Sequence, residues 1–228
     1  MAATPPALMR TTIGKKMLMA ASGLVILLWL IGHMLGNLKV WLNQREFDSY
    51  AEFLRRMGEP IFPHTVLLWI VRVVVGAAFI VHVYFAIDLS LRSRKARQQH
   101  YAHPDRVQSN PAPVTMRWGG IAIGLFVIFH LAHFTWGWIH PGYTYVRGSV
   151  YQNVVESFNQ WWLVVIYLAA MLALCLHLYH GTWSMFQTFG VNNRRWDPII
   201  RRTAATVAIV IFVGFSAVPV GVLVGVIS

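Results

Sequence analysis

His33, His82, His130 and His177 each fall inside a long apolar run, where histidine is scarce. Two of them open His-x-x-His pairs, His130/His133 and His177/His180. An imidazole at bilayer depth is costly and takes a partner. A hydrogen bond to a carbonyl on a neighbouring helix accounts for one such residue. Recurrence in four separate runs favours a shared role. Neutral imidazole is a good metal ligand. Two imidazoles on facing helices at one depth are the geometry that holds a haem iron inside a helix bundle.

The elements that position these histidines are membrane spans. Of 228 residues, 57% are hydrophobic and 12% are charged, and mean hydropathy is +0.53. The charged share is about half that of a globular domain. This excludes a disordered chain, a coiled coil and an ordinary soluble domain. Runs of about 20 apolar residues bounded by charge predict five spans. They cover 17–40, 65–91, 118–139, 161–189 and 203–227. The first span is too long for a cleavable signal peptide and lacks its small-residue cleavage site. The expected fold is an all-α membrane protein, a five-transmembrane-helix bundle in one domain, 1–228.

Charge predicts its orientation. Thirteen basic residues fall on one side: Arg10, Lys15, Lys16, Arg92, Arg94, Lys95, Arg97, Arg106, Arg117, Arg194, Arg195, Arg201 and Arg202. Five fall on the other, Lys39, Arg45, Arg55, Arg56 and Arg147, mixed with acids. The positive-inside rule puts the N-terminus in the cytoplasm and the C-terminus outside, as an odd span count requires. The net charge of +11 thus reads as loop topology and lipid contact, with no nucleic-acid partner. The polar loop from Arg92 to Arg117 holds Pro104, Pro111 and Pro113 and reads as a docking or solvated loop. The lone Cys175 excludes an intramolecular disulfide and a thiolate metal cluster. Trp41, Trp69, Trp118, Trp138, Trp161 and Trp162 lie at span ends, as interface anchors do.

Depth sorts the histidines. At about 1.5 Å per residue, His33 and His130 lie about 12 and 15 Å from the outer edge. His82 and His177 lie about 28 and 26 Å from it. Two levels result, each with one histidine from each of two spans. A His-x-x-His pair shares one helix face, with Cβ atoms about 5–6 Å apart, so a zinc or di-metal site is the alternative. Such sites recruit carboxylates, and the only span acid is Asp88, near an inner edge. The better reading has one histidine of each pair on iron and the other on a haem propionate or a carbonyl. Arg72, in the outer half of the second span, suits an outer propionate. Glycines along the first four spans, Gly23 and Gly181 among them, suit close approach of a helix or a flat macrocycle.

Four segments carry a resemblance. They are GLVILLWLIGHMLGN in the first span, FIVHVYFAI followed by RSRKAR in the second, FHLAHFTWG in the third and LHLYHGTWSMFQTFG in the fourth. In order and spacing, over nearly the whole chain, they resemble the single-chain, five-helix dihaem cytochrome b anchor of succinate:quinone and quinol:fumarate oxidoreductases. The resemblance implies two haem b groups with axial ligands His33, His82, His130 and His177, paired 33/130 and 82/177. His180 matches a position that is not a ligand in the family. His133, His180, Arg72 and Ser22 are then candidates for propionate or supporting contacts. The resemblance also implies a flavoprotein carrying FAD and an iron–sulfur subunit, both on the cytoplasmic face of the cell inner membrane. Quinone, often menaquinone, is the electron acceptor. Some fumarate-reducing members carry a glutamate two residues before the fourth-helix ligand. Cys175 stands there, which tilts the expectation toward succinate oxidation.

Two other readings compete. One is the cytochrome b subunit of another respiratory dehydrogenase. The other is a haem-free anchor or a small transporter; a transporter would be expected to show broken helices or paired half-repeats, and the sequence has neither. Candidates for a quinone pocket are Asn37, Glu52 and Glu59 on the outer side, and Ser22 and Asp88 on the inner.

Overall fold

The computed structural model describes residues 11–96 and 112–228, with the side chains of 112–115 excepted. Arg10, Arg97, Arg106, Pro104 and Pro111 lie outside the described residues. Seven α-helices form among those described. They are α1 (Thr12–Leu38), α2 (Gln44–Arg56), α3 (Val66–Lys95), α4 (Ala112–His130), α5 (Val150–Phe158), α6 (Trp161–Thr188) and α7 (Asp197–Leu223). Five of these helices are long and apolar enough to cross a membrane: α1, α3, α4, α6 and α7.

Local sequence sets the helix ends. Thr11 Oγ1 accepts from the Gly14 amide at 3.0 Å and opens α1. Asn43 Oδ1 does the same for Glu46 at 2.9 Å and opens α2, since an N-cap oxygen satisfies an otherwise orphaned amide. Arg92, Arg94 and Lys95 close α3, where positive charge suits the helix dipole. Helix α4 ends in one π-helical turn, Leu131–Thr135, in which the Trp136 amide donates to the Leu131 carbonyl at 2.9 Å. Gly137 follows with φ +65° and stops the helix four residues before the Ile139 expected from hydropathy. The fifth span begins at Asp197-Pro198 rather than 203, because proline is preorganised for a first helical turn. It ends at Leu223, ahead of Gly225 at φ +76°.

Packing is uneven around the bundle. Helix α7 packs along α6 and α1; α3 packs chiefly on α1, and α4 chiefly on α6. Small buried residues one turn apart, Ala204 and Ala208, bring α7 close to its neighbours. The outward stripe of α3, with Val73, Ile80 and Ile87, is exposed, as lipid-facing side chains are. The basic ends of α1 and α3 are clasped by Lys15 Nζ on Asp88 Oδ2 at 2.5 Å, and Arg92 holds the same carboxylate at 3.0 Å.

The opposite end is capped. Segments expected as loops, 41–64 and 140–160, contain the amphipathic helices α2 and α5, which pack on each other. Asp48 Oδ1 accepts from the Tyr151 amide at 3.0 Å across that contact. The main apolar cluster sits beneath this cap: Val40, Phe47, Val154, Phe158, Val164, Tyr167, Val218 and Val222 among others. Gly36 seats α2, since a Cβ there would fall 2.7 Å from Tyr50 Cε1 and 2.9 Å from its hydroxyl. Gly36→Ala is therefore expected to destabilise the chain by about 1–3 kcal/mol through overpacking. Thermal unfolding in detergent checks this, and adding Tyr50→Ala should recover part of the loss.

Candidate functional site

The structure brings the four span histidines together two by two. The His33 and His130 ring centroids are 6.0 Å apart with planes at 81°. Those of His82 and His177 are 6.2 Å apart at 68°. Neither pair joins helices that pack extensively on each other: α1 lies along α3, α6 and α7, while α4 lies along α6. The imidazoles thus bridge α1 to α4 and α3 to α6, two helix pairs that make little direct contact. His33 is ten residues beyond Gly23, which borders His82, so the pairs lie roughly 15 Å apart along the bundle.

The separations have a chemical meaning. A metal–imidazole bond of about 2 Å, plus about 1.1 Å from nitrogen to ring centre, puts two trans imidazoles about 6 Å apart. Both pairs meet that spacing. An axial imidazole also needs its second nitrogen anchored, which fixes the tautomer and the ring orientation. Met19 O lies 2.9 Å from His82 Nδ1. A carbonyl only accepts, so His82 carries its hydrogen on Nδ1 and the lone pair on Nε2. Ser22 Oγ donates to Leu18 O and Met19 O at 2.8 and 3.0 Å, so it touches the same carbonyl that orients His82. His177 Nδ1 is buried without a hydrogen-bond partner among the described residues. A buried unsatisfied nitrogen calls for a partner, so His177, unlike His82, has no protein group among the described residues that fixes its tautomer.

The pair nearer the cap is ringed by aromatics. Trp29 stacks on His33 at 4.8 Å and 10°. Phe215 lies 5.7 Å from His33, and Phe126 and Phe134 lie 5.8 and 5.7 Å from His130. Asn37 Nδ2 donates to the His33 carbonyl at 2.7 Å and lies 3.4 Å from its Nε2. Two imidazoles at each level, with an aromatic ring of neighbours at the His33/His130 level, are a donor set that fits a haem.

The remaining sequence candidates have definite places. His133 is fully buried, and both its nitrogens are engaged: Nδ1 by the Tyr167 hydroxyl at 2.8 Å and Nε2 by Ser157 Oγ at 3.0 Å. It therefore has no nitrogen left for the propionate or carbonyl expected of it. His180 is half-buried beside Tyr179, with ring centroids 4.9 Å apart. Arg72 is exposed and lies over the Trp69 ring at 5.0 Å. Glu52 is bound by Arg55 and Arg56 at 3.4 and 3.0 Å. The Arg56 hydrogen bond holds its carboxyl below the usual range. Glu59 contacts His64 Nδ1 at 3.2 Å. Asp88 is committed to Lys15 and Arg92. These quinone candidates are thus spread over both ends and form no single pocket.

Sequence reasoning missed Tyr167, Ser157 and Met19. Tyr167 sits in an unbroken apolar run, and Met19 acts through its backbone. Ser157 carried a weak signal as a polar residue on the apolar face of Val150–Phe158. The chain matches no protein-family model, no curated protein and no solved structure.

Proposed function

We propose that the chain is the haem b membrane-anchor subunit of a succinate dehydrogenase, a succinate:quinone oxidoreductase. In this reading His33 and His130 are the axial ligands of an outer haem, and His82 and His177 those of an inner haem. The N-terminus is cytoplasmic, the C-terminus is outside, and the membrane is the cell inner membrane. The observation that carries the reading is the double pairing: two imidazole pairs at two levels, 6.0 and 6.2 Å between rings, joining α1 to α4 and α3 to α6. Bound haem would supply one-electron redox chemistry at each level. The chain's own contribution would be to hold the two imidazoles of each pair 6.0 and 6.2 Å apart, anchor the Nδ1 of His82 and His130, and exclude water around the outer pair with Trp29, Phe126, Phe134 and Phe215.

The order of the motifs supports this family over other respiratory cytochromes b. A fumarate reductase anchor, or the cytochrome b subunit of another respiratory dehydrogenase, is the second reading. It draws on the same histidine pairs. Cys175 in place of an acid favours succinate oxidation.

The partners are those the resemblance implies, and charge supplies their docking face. The end of the bundle carrying Lys15, Lys16, Arg92, Arg94, Lys95, Arg117, Arg194, Arg195, Arg201 and Arg202 is strongly basic. We take it as the cytoplasmic dock for the iron–sulfur subunit, with the FAD-bearing flavoprotein beyond it. Affinity purification of the full chain from its own membranes should bring both subunits with it. Charge reversal at two exposed positions, Arg94→Glu with Lys95→Glu, should release them at lower salt while insertion stays intact. Assembly that resists high salt in this variant would leave those residues as topology signals only. The purified complex should reduce a menaquinone analogue with succinate; activity with a soluble dye and with no quinone would contradict the quinone assignment.

A further inference from the structure

Behind His130 lies a file of hydrogen-bonding groups whose protons can be assigned one by one. Tyr167 Oη is 3.4 Å from His130 Nδ1 and 2.8 Å from His133 Nδ1. His133 Nε2 is 3.0 Å from Ser157 Oγ. Ser157 Oγ is also 2.6 Å from the Asn153 carbonyl and 2.9 Å from the Tyr143 hydroxyl. Every side chain in this file is buried or half-buried, and His133 and Ser157 are fully so.

The Asn153 carbonyl is the fixed point, because it can only accept. Ser157 has one hydroxyl hydrogen, and the 2.6 Å contact assigns it to that carbonyl. Ser157 Oγ must then accept from the Tyr143 hydroxyl and from His133 Nε2. Neutral His133 so carries its hydrogen on Nε2, and its Nδ1 is an acceptor. The Tyr167 hydroxyl fills that acceptor at the shorter of its two contacts, 2.8 Å. Its oxygen is left to accept from His130 Nδ1–H. His130 is thereby held as the tautomer with its lone pair on Nε2, the form a metal needs.

We propose that Tyr167, His133 and Ser157 are positioning residues that set the tautomer and basicity of His130 through one directed hydrogen-bond relay. This rests on the dihaem reading above. The two levels are then anchored by different chemistry: His82 by a backbone carbonyl and His130 by a phenol whose own hydrogen is spent elsewhere. Accepting an Nδ1–H makes an imidazole a stronger donor to the metal and favours the oxidised, more positive iron.

Tyr167→Phe removes one oxygen from the file and keeps the ring. In the full chain with haem, the spectral component that His130→Ala deletes should shift to a higher midpoint potential. Its haem should also be retained about 10–100-fold less tightly. The other component should not move. Ser157→Ala, two hydrogen bonds from His130, lets His133 and then Tyr167 reverse their donation. It should shift the same component in the same direction. Packing damage would move both components or lower haem content at both levels. If Tyr167→Phe leaves both potentials unchanged in a chain carrying two haems, the relay assignment fails and the dihaem reading stands. If the unaltered chain carries no haem, both fail together.

Discussion

His33→Ala and His130→Ala should each delete the same one of two haem components, and His82→Ala and His177→Ala should each delete the other. Removing one imidazole leaves an iron with an open position and a void in an apolar site. Loss of a ligand costs far more than loss of a supporting contact, so retention of that haem should fall below detection rather than shift. The second haem is expected to survive, because its ligands sit roughly 15 Å away along the bundle. The pairing is specific to the geometry: His33 faces His130 at 6.0 Å, and His82 faces His177 at 6.2 Å. Potentiometric titration of the four variants resolves the components. Deletion of one and the same component by His33→Ala and His82→Ala would mean that histidines pair between consecutive spans, against the structure. His180→Ala should keep both haems, since its ring lies beside Tyr179 one turn from His177.

Gly23→Val should abolish the His82/His177 haem and leave the other intact. A Cβ at Gly23 would fall 3.1 Å from His82 Cε1 and 3.2 Å from its Nδ1. Those contacts are already tight for a single methyl. Valine adds two further methyl groups on a stiff χ1, and the ring has little room to yield while Nδ1 stays bonded to Met19 O at 2.9 Å. The expected result is a displaced imidazole and at least a ten-fold loss of that haem's affinity, in line with disrupted support of a ligand. Gly23→Ala should show a weaker form of the same defect. Equal loss of both haems in Gly23→Val would point to general misfolding of α1 instead. Gly32, where a Cβ would meet nothing within 4 Å, is the control: Gly32→Ala should leave haem content unchanged.

The spans and the histidine pairing were legible in the sequence because both depend on one-dimensional quantities. Apolar length locates a span, and a fixed rise per residue converts position into depth. The pairing of His33 with His130 and of His82 with His177 needed only those distances and a common membrane. Charge located the span edges less well. Arg201 and Arg202 lie inside the first turns of α7, so counting from them placed its start six residues late, while Asp197-Pro198 carried the true start signal. Helix α2 was also marked, by Asn43 three residues ahead of Glu46, but a short amphipathic helix between two spans is easily read as a loop.

The supporting residues were not legible, because they exist only once helices are packed. Tyr167 looks like any aromatic in LVVIYLAAM until α4 meets α6 and its hydroxyl falls between His130 and His133. The second histidine of the third-span pair was expected to meet a propionate or a carbonyl; it meets two hydroxyls, Tyr167 and Ser157. The expectation for Asp88 also depended on its neighbour: the aspartate faces Lys15 across α1 and α3, a pairing of residues 73 positions apart.

The most direct measurement is haem extraction and counting on the purified full chain, with a reduced-minus-oxidised spectrum and a redox titration of the same sample. Two b haems per chain, titrating as two components, is the predicted result. No haem, or one haem that persists in both His33→Ala and His82→Ala, would contradict the account.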